Sequence, residues 1–248
     1  MTATSWHAFY TGDLQSLYAL LVAPIAFLAY RCVVPAQEAR AVVPEKTRFV
    51  SGITLLFAFE TMLDPISTGP LLRSDWLVGS FAETAVPFLF VLLGDLRVLW
   101  LVFGVAQPEP SASAGLTRAL AVSLIVPIAT GLVYGVARAL DPALPGQVLW
   151  MLYELFFLLL CIFLGRFWLP QQLQGQLGQA SERASYLRAV LGFSAAYYVL
   201  WLLADLLIVV GGLDLGWAIR IVPNQLYYAL WVPFVYARFF CARPLKAS

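Results

Sequence analysis

Seven runs of roughly 20 apolar residues, separated by short polar stretches, constrain this chain more than any motif does. A helix needs about that length to cross a hydrocarbon core of roughly 30 Å. Lipid offers the backbone no water to bond, so such a run must close its hydrogen bonds internally as helix. The runs fall at residues 14–30, 49–63, 77–103, 119–137, 148–168, 187–210 and 217–239. They predict an all-α membrane protein, a seven-transmembrane-helix bundle that makes one polytopic domain of residues 1–248. Composition agrees, since 61% of the residues are hydrophobic and 12% are charged, against about 25% charged in a soluble domain. Two longer connections, 107–115 and 170–185, are rich in Pro, Ser, Gly or Gln and read as solvated loops too small to be domains. The first dozen residues hold no Lys or Arg, so no removable signal peptide is expected.

Basic residues gather in alternate connections. One side collects Arg31, Arg40, Lys46, Arg48, Arg118, Arg166, Arg183, Arg188, Arg238, Arg243 and Lys246, and the other holds Arg73, Arg138 and Arg220. The positive-inside rule then places the N-terminus outside and the C-terminus in the cytoplasm, with the chain multi-pass in the cytoplasmic (inner) membrane. Cys32, Cys161 and Cys241 fall in the cytoplasmic half, where thiols stay reduced, and match no metal or redox spacing. Trp6, Tyr10, Trp76, Trp150, Trp168 and Trp217 sit near span ends, as interfacial aromatic belts require.

Pro24, Pro87, Pro127 and Pro233 lie inside the runs, where each removes a backbone hydrogen bond and can kink its helix. Gly131 and Gly135 form a small-xxx-small pair, which is expected to let another helix approach closely. Two short echoes suggest duplication. Pro24-Ile25-Ala26 resembles Pro127-Ile128-Ala129, and residues 92–96 (LLGDL) resemble residues 202–206 (LLADL). They point to a 3+3 inverted repeat plus one helix, an arrangement used by secondary transporters.

The third run carries Glu83, Asp95 and Arg97. An ionisable side chain near the bilayer centre costs about 2.5–3.5 kcal/mol on insertion scales, so it should face protein or water. Counting about 1.5 Å of rise per residue, Glu60, Glu83, Glu154 and Asp205 fall toward the outer ends of four runs, with Arg220, Asn224 and Gln225 in the outer third of the last. Inward convergence of these side chains would form an acidic cavity at or just below the outer face, able to bind a small cationic ion or solute. A transporter or channel-like protein, proton-coupled where the carboxyl groups exchange protons, is the leading expectation. Glu60 and Asp64 stand four apart on one helical face, a spacing at which they could share a hard cation. Asp95 and Arg97 lie deeper and point to different sides of their helix, so each needs its own partner, and together they read as a latch between helices. Arg97 is also long enough to snorkel to the cytoplasmic interface.

The missing residues exclude other chemistry. His7, the sole histidine, belongs to the outer tail, so an intramembrane haem, zinc or di-iron centre built on His has no ligands. The two lysines, Lys46 and Lys246, are in cytoplasmic segments, leaving none for an interior Schiff base. Neither a phosphate-binding Gly-rich loop nor a Gly-x-Ser-x-Gly elbow occurs. A net charge of +1 leaves no basic surplus for nucleic acid. Asp95 and Asp205 differ by about 15 Å in depth and cannot share a proton as an aspartyl-protease pair does. No cofactor, metal ligand or catalytic residue is therefore assigned, and the expected partners are the lipid bilayer and a small ion or solute. Two alternatives stay open: a receptor-like or partner-binding structural membrane subunit, and a cofactor-independent membrane enzyme acting on a lipid through Glu60, Glu83 or Glu154, for which no nucleophile is evident.

Overall fold

The computed structural model describes residues 5–34, 44–74, 77–107, 112–173 and 179–241. Every regular element among them is helical. A short helix, Trp6–Thr11, leads into six helices long and apolar enough to cross a membrane: α1 (Leu14–Val33), α2 (Glu45–Leu71), α3 (Phe81–Ala106), α4 (Gly115–Leu140), α5 (Gln147–Gln172) and α6 (Glu182–Val209). Residues 215–240 form one further unbroken helical stretch, α7. The last apolar run is thus helical over a membrane-spanning length, but Arg220, Asn224, Gln225 and its Tyr, Trp and Pro residues leave it less apolar than the other six.

Helix extends beyond the apolar runs. α2 begins four residues before and ends eight residues after residues 49–63. The connections read as loops are also partly helical, because helix resumes at Ala112, covers Leu169–Gln172 and restarts at Gln179. Ala, Gln and Glu favour helix whether or not lipid surrounds them, so hydropathy alone underestimates helix length. Residues 108–111 and 174–178, with Arg40, Trp76, Arg243 and Lys246, lie outside the described residues.

Neighbours in sequence pack as neighbours in space, α7 closes the ring against α1, and α3 runs through the middle in contact with α2, α4 and α6. Val98, Leu99, Leu101, Val102 and Val105 of α3 meet Phe57, Phe157, Leu187 and Trp231 in the core. α4 is its opposite, turning Ile125, Ile128, Leu132 and Val136 outward, where lipid would cover them. The two ends of the bundle differ in charge. At the amino-terminal end Asp13 pairs with Arg73 at 2.6 Å, and Asp214 accepts from the backbone N–H groups of Trp6 and His7 at 2.6 and 3.2 Å. At the other end Arg31 donates to Ser51 and Arg238 to Ser185, both at 2.9 Å. That second, Arg-rich end carries Arg31, Lys46, Arg48, Arg118, Arg166, Arg183, Arg188 and Arg238 against Glu45 and Glu182 among the described residues. Cys32 and Cys241 are exposed there, Cys161 is buried, and all three are free thiols.

The prolines explain most irregularities. α4 is interrupted at Leu124, next to Ser123, whose carbonyl is the one Pro127 cannot bond. Wide π turns at Leu164–Trp168 and Gln225–Leu230 end two and three residues before Pro170 and Pro233, and another, Ser67–Leu71, contains Pro70. A wider turn relieves the clash between the proline ring and the carbonyl four residues earlier. The close helix approaches are elsewhere than expected. Gly131 and Gly135 face open space, whereas a Cβ on Gly115 would stand 3.2 Å from the Gly104 Cα where α3 and α4 cross.

Candidate functional site

The polar side chains of the interior form two linked clusters. Nearest the amino-terminal end, the Arg220 guanidinium on α7 pairs with Asp205 of α6 and lies 3.8 Å from Glu154 of α5. Gln147 donates to the second Asp205 oxygen at 2.8 Å. Tyr10, from the short leading helix, accepts from Arg220 Nε at 3.3 Å and from Asn224 at 3.1 Å, and Trp201 donates to the Asn224 oxygen at 2.9 Å. The leading helix holds Tyr10 there because Asp214 caps its first turn and the His7 and Tyr10 rings pack on Trp217 at 4.4 and 5.3 Å. Tyr10 and Trp217 thus stack over the Arg220 guanidinium, with ring centroids 5.6 and 5.8 Å from it.

The second cluster surrounds the middle of α3. Asp95 is fully buried and accepts hydrogen bonds from Tyr153 of α5 and Tyr198 of α6. Two residues on, Arg97 points the other way and is also fully buried. Its guanidinium lies 3.7 Å from Glu60, donates to Thr61 at 3.2 Å and to the Tyr227 carbonyl at 2.8 Å, and stacks over the Tyr227 and Trp231 rings at 4.0 and 4.8 Å. Tyr227 is in the π turn of α7, where the altered hydrogen-bond register makes a main-chain carbonyl available to an outside donor. At an effective dielectric near 20, opposite charges 4 Å apart attract by about 4 kcal/mol, similar to the several kcal/mol lost on desolvating each ion. Pairing therefore makes these charges tolerable without making them a large source of stability. Tyr153 and Glu154 are adjacent in sequence, and Trp201 touches Asn224 on one side and the Tyr198 and Tyr227 rings on the other, so the clusters are joined.

The residues expected to share one acidic layer separate accordingly. Glu154, Asp205, Arg220 and Asn224 come together, while Glu60 belongs to the Arg97 cluster. Glu83 joins neither. It is exposed and accepts from the Gly79 N–H at 2.8 Å, since a carboxylate in the first turn of a helix is held by free N–H groups and the helix dipole. Gln225 is half-buried and makes no hydrogen bond or ion pair to either cluster among the described residues. Glu60 and Asp64 keep separate protein partners, as Asp64 accepts from Thr68 at 3.2 Å and faces Tyr228. Arg97 does not snorkel, since its side chain is fully buried in the second cluster. Tyr10, Tyr153, Tyr198, Tyr227 and Thr61 were missed. Their signal was present, because a tyrosine hydroxyl buried inside an apolar run usually finds a hydrogen-bond partner.

Among the described residues no three His, Cys, Asp or Glu side chains gather as a metal-binding group. The interior sets carboxyl oxygens beside hydroxyl, amide and guanidinium donors. Five buried carboxyl groups, Glu60, Asp64, Asp95, Glu154 and Asp205, face two arginines, Arg97 and Arg220. Together the helices and this interior define an all-helical, multi-pass membrane protein with a charged core. No protein-family model matches the chain, and no curated protein or solved structure compared with it matches either.

Proposed function

We propose that this chain is a seven-helix protein of the cytoplasmic membrane that binds or moves a small cationic ion or solute, with the proton as its simplest cargo. Its N-terminus lies outside and its C-terminus in the cytoplasm, by the positive-inside rule. The observation that supports the reading is the excess of buried acid over base, with one oxygen each of Glu60 and Glu154 buried and lacking any hydrogen-bond partner. An acceptor left in that condition has a place for a proton or a cation, and ionisable groups inside a membrane protein are functional by default. Tyr10 and Trp217 would then close the outer entrance, and passage would require the leading helix to move.

The test uses the full chain in vesicles carrying an internal pH indicator, with a pH gradient imposed across the membrane. Glu154→Gln and Asp205→Asn are each expected to abolish pH-dependent uptake while both variants still elute as single species. Uptake unchanged in both variants overturns the reading. A second reading has its own support, because Arg97 and Arg220 each already have two or more protein partners. In it the clusters only lock the helices of a receptor-like or partner-binding subunit, and the same substitutions would lower stability with no transport to lose.

A further inference from the structure

A groove of about 550 Å³ runs between α5 and α6, with Arg166, Pro170 and Arg188 at the Arg-rich end of its lining. Its width comes from glycines. A Cβ on Gly192 would meet no atom within 4 Å, and one on Gly165 would meet only a Leu191 methyl at 3.7 Å, so ordinary side chains here would narrow the space. Arg166 and Arg188 line its mouth, and from there the walls continue toward the bundle centre as Ile162, Leu191 and Ala195. One end of the groove is cationic and the rest is apolar.

Arg166 lies six residues before the end of α5 and Arg188 six residues after the start of α6, so both stand at one level, about 9 Å in from the helix ends. Helices of 26 and 28 residues are about 39–42 Å long and overhang a hydrocarbon core of roughly 30 Å by about 5 Å at each end. The two Cα atoms thus fall just inside the core boundary, and their long side chains reach back to the level of lipid phosphates. Both arginines are exposed, and neither has an ion pair or hydrogen bond among the described residues. The connecting residues 174–178, QGQLG, contain no acid to neutralise them.

We propose that this groove seats one anionic phospholipid, its phosphate bridged by Arg166 and Arg188 and one acyl chain lying along Ile162, Leu191 and Ala195. Guanidinium groups match phosphate oxygens in geometry as well as charge. A zwitterionic lipid brings its own ammonium next to the phosphate, so two uncompensated arginines favour a head group with net negative charge. The surplus of basic residues at this end of the bundle acts in the same direction.

Native mass spectrometry of the purified full chain, titrated with phosphatidylglycerol or phosphatidylcholine, tests the assignment. One phosphatidylglycerol is expected to bind in preference to phosphatidylcholine. Arg166→Ala with Arg188→Ala should weaken that binding on the order of tenfold, whereas Arg73→Ala at the opposite end should not. Gly192→Leu, which keeps both arginines but fills the groove, should abolish the seat. Millimolar inorganic phosphate should not displace the lipid, because it offers no acyl chain. Equal affinity for the two lipids in the wild-type chain, unchanged binding in the double variant or in Gly192→Leu, or displacement by inorganic phosphate would each overturn the proposal.

Discussion

Arg97 carries a full charge at 0% exposure in the centre of α3, and its surroundings fix what each substitution should do. Removing it leaves Glu60 buried without its counter-charge, and breaking one side of a buried pair costs about 3–5 kcal/mol. Arg97→Leu is expected to lose stability on that scale, measured by denaturant unfolding in detergent and followed by tryptophan fluorescence. Arg97→Lys should recover only part of the loss, since one ammonium cannot reproduce the fork that reaches Glu60, Thr61 and the Tyr227 carbonyl together. The double variant Arg97→Leu with Glu60→Leu should be less destabilised than Arg97→Leu alone, because no orphan carboxylate remains. Glu83→Gln is the contrast. Its carboxylate is exposed and only caps a helix start, so the expected loss is about 0.3–1 kcal/mol. The sequence supplied the cost of placing Arg97 and Glu83 in an apolar run, but both looked alike there. What separates them is lateral: Arg97 faces α2 and α7 through partners distant in the chain, while Glu83 sits where a helix begins and bonds the Gly79 N–H four residues before it.

Glycines show the same limit at the level of whole helices. Gly94 and Gly131 each sit inside an apolar helix, yet a Cβ on Gly94 would overlap the Tyr227 ring of α7, while one on Gly131 would meet nothing within 4 Å. Gly94→Ala should therefore push Tyr227 away from α3 and cost about 1–3 kcal/mol as overpacking. Gly131→Ala should be neutral or stabilising by up to about 1 kcal/mol, because alanine favours helix more than glycine does. Parallel unfolding curves of the two variants check both outcomes, and equal losses would contradict the placement of α7 against α3. The small-xxx-small spacing that drew attention to Gly131 and Gly135 is a property of one helix, whereas close approach belongs to a pair. The same distinction holds for the π turn at Gln225–Leu230, which Pro233 could suggest from sequence but whose carbonyl finds its use only when Arg97 arrives from α3. Helix existence was legible because apolar length alone dictates it in lipid; helix register was not, because it depends on facing surfaces.

For the whole molecule, the feature that spans every element is the unequal distribution of charge between the bundle ends. Basic residues gather at the end with Arg31 and Arg238, and acids Asp13, Glu83, Asp141 and Asp214 at the other. This bias was readable from the loops because it needs only the order of spans, whereas the count of crossings turns on α7, whose polar residues are tolerated through partners on α6 and the leading helix. The native thiols decide both matters together. Cys32 follows α1 and Cys241 follows α7, and both are exposed, while Cys161 is buried. With α7 spanning, an even number of crossings separates Cys32 from Cys241, so they share a side of the membrane. With α7 lying along the surface, the number is odd and they label from opposite sides. A membrane-impermeant maleimide applied to intact cells is expected to modify neither, and after permeabilisation to modify Cys32 and Cys241 but not Cys161. Asp141→Cys in a chain with all three native cysteines changed to alanine should label in intact cells. Modification of both native thiols in intact cells would invert the orientation, and modification of one alone would remove α7 from the membrane.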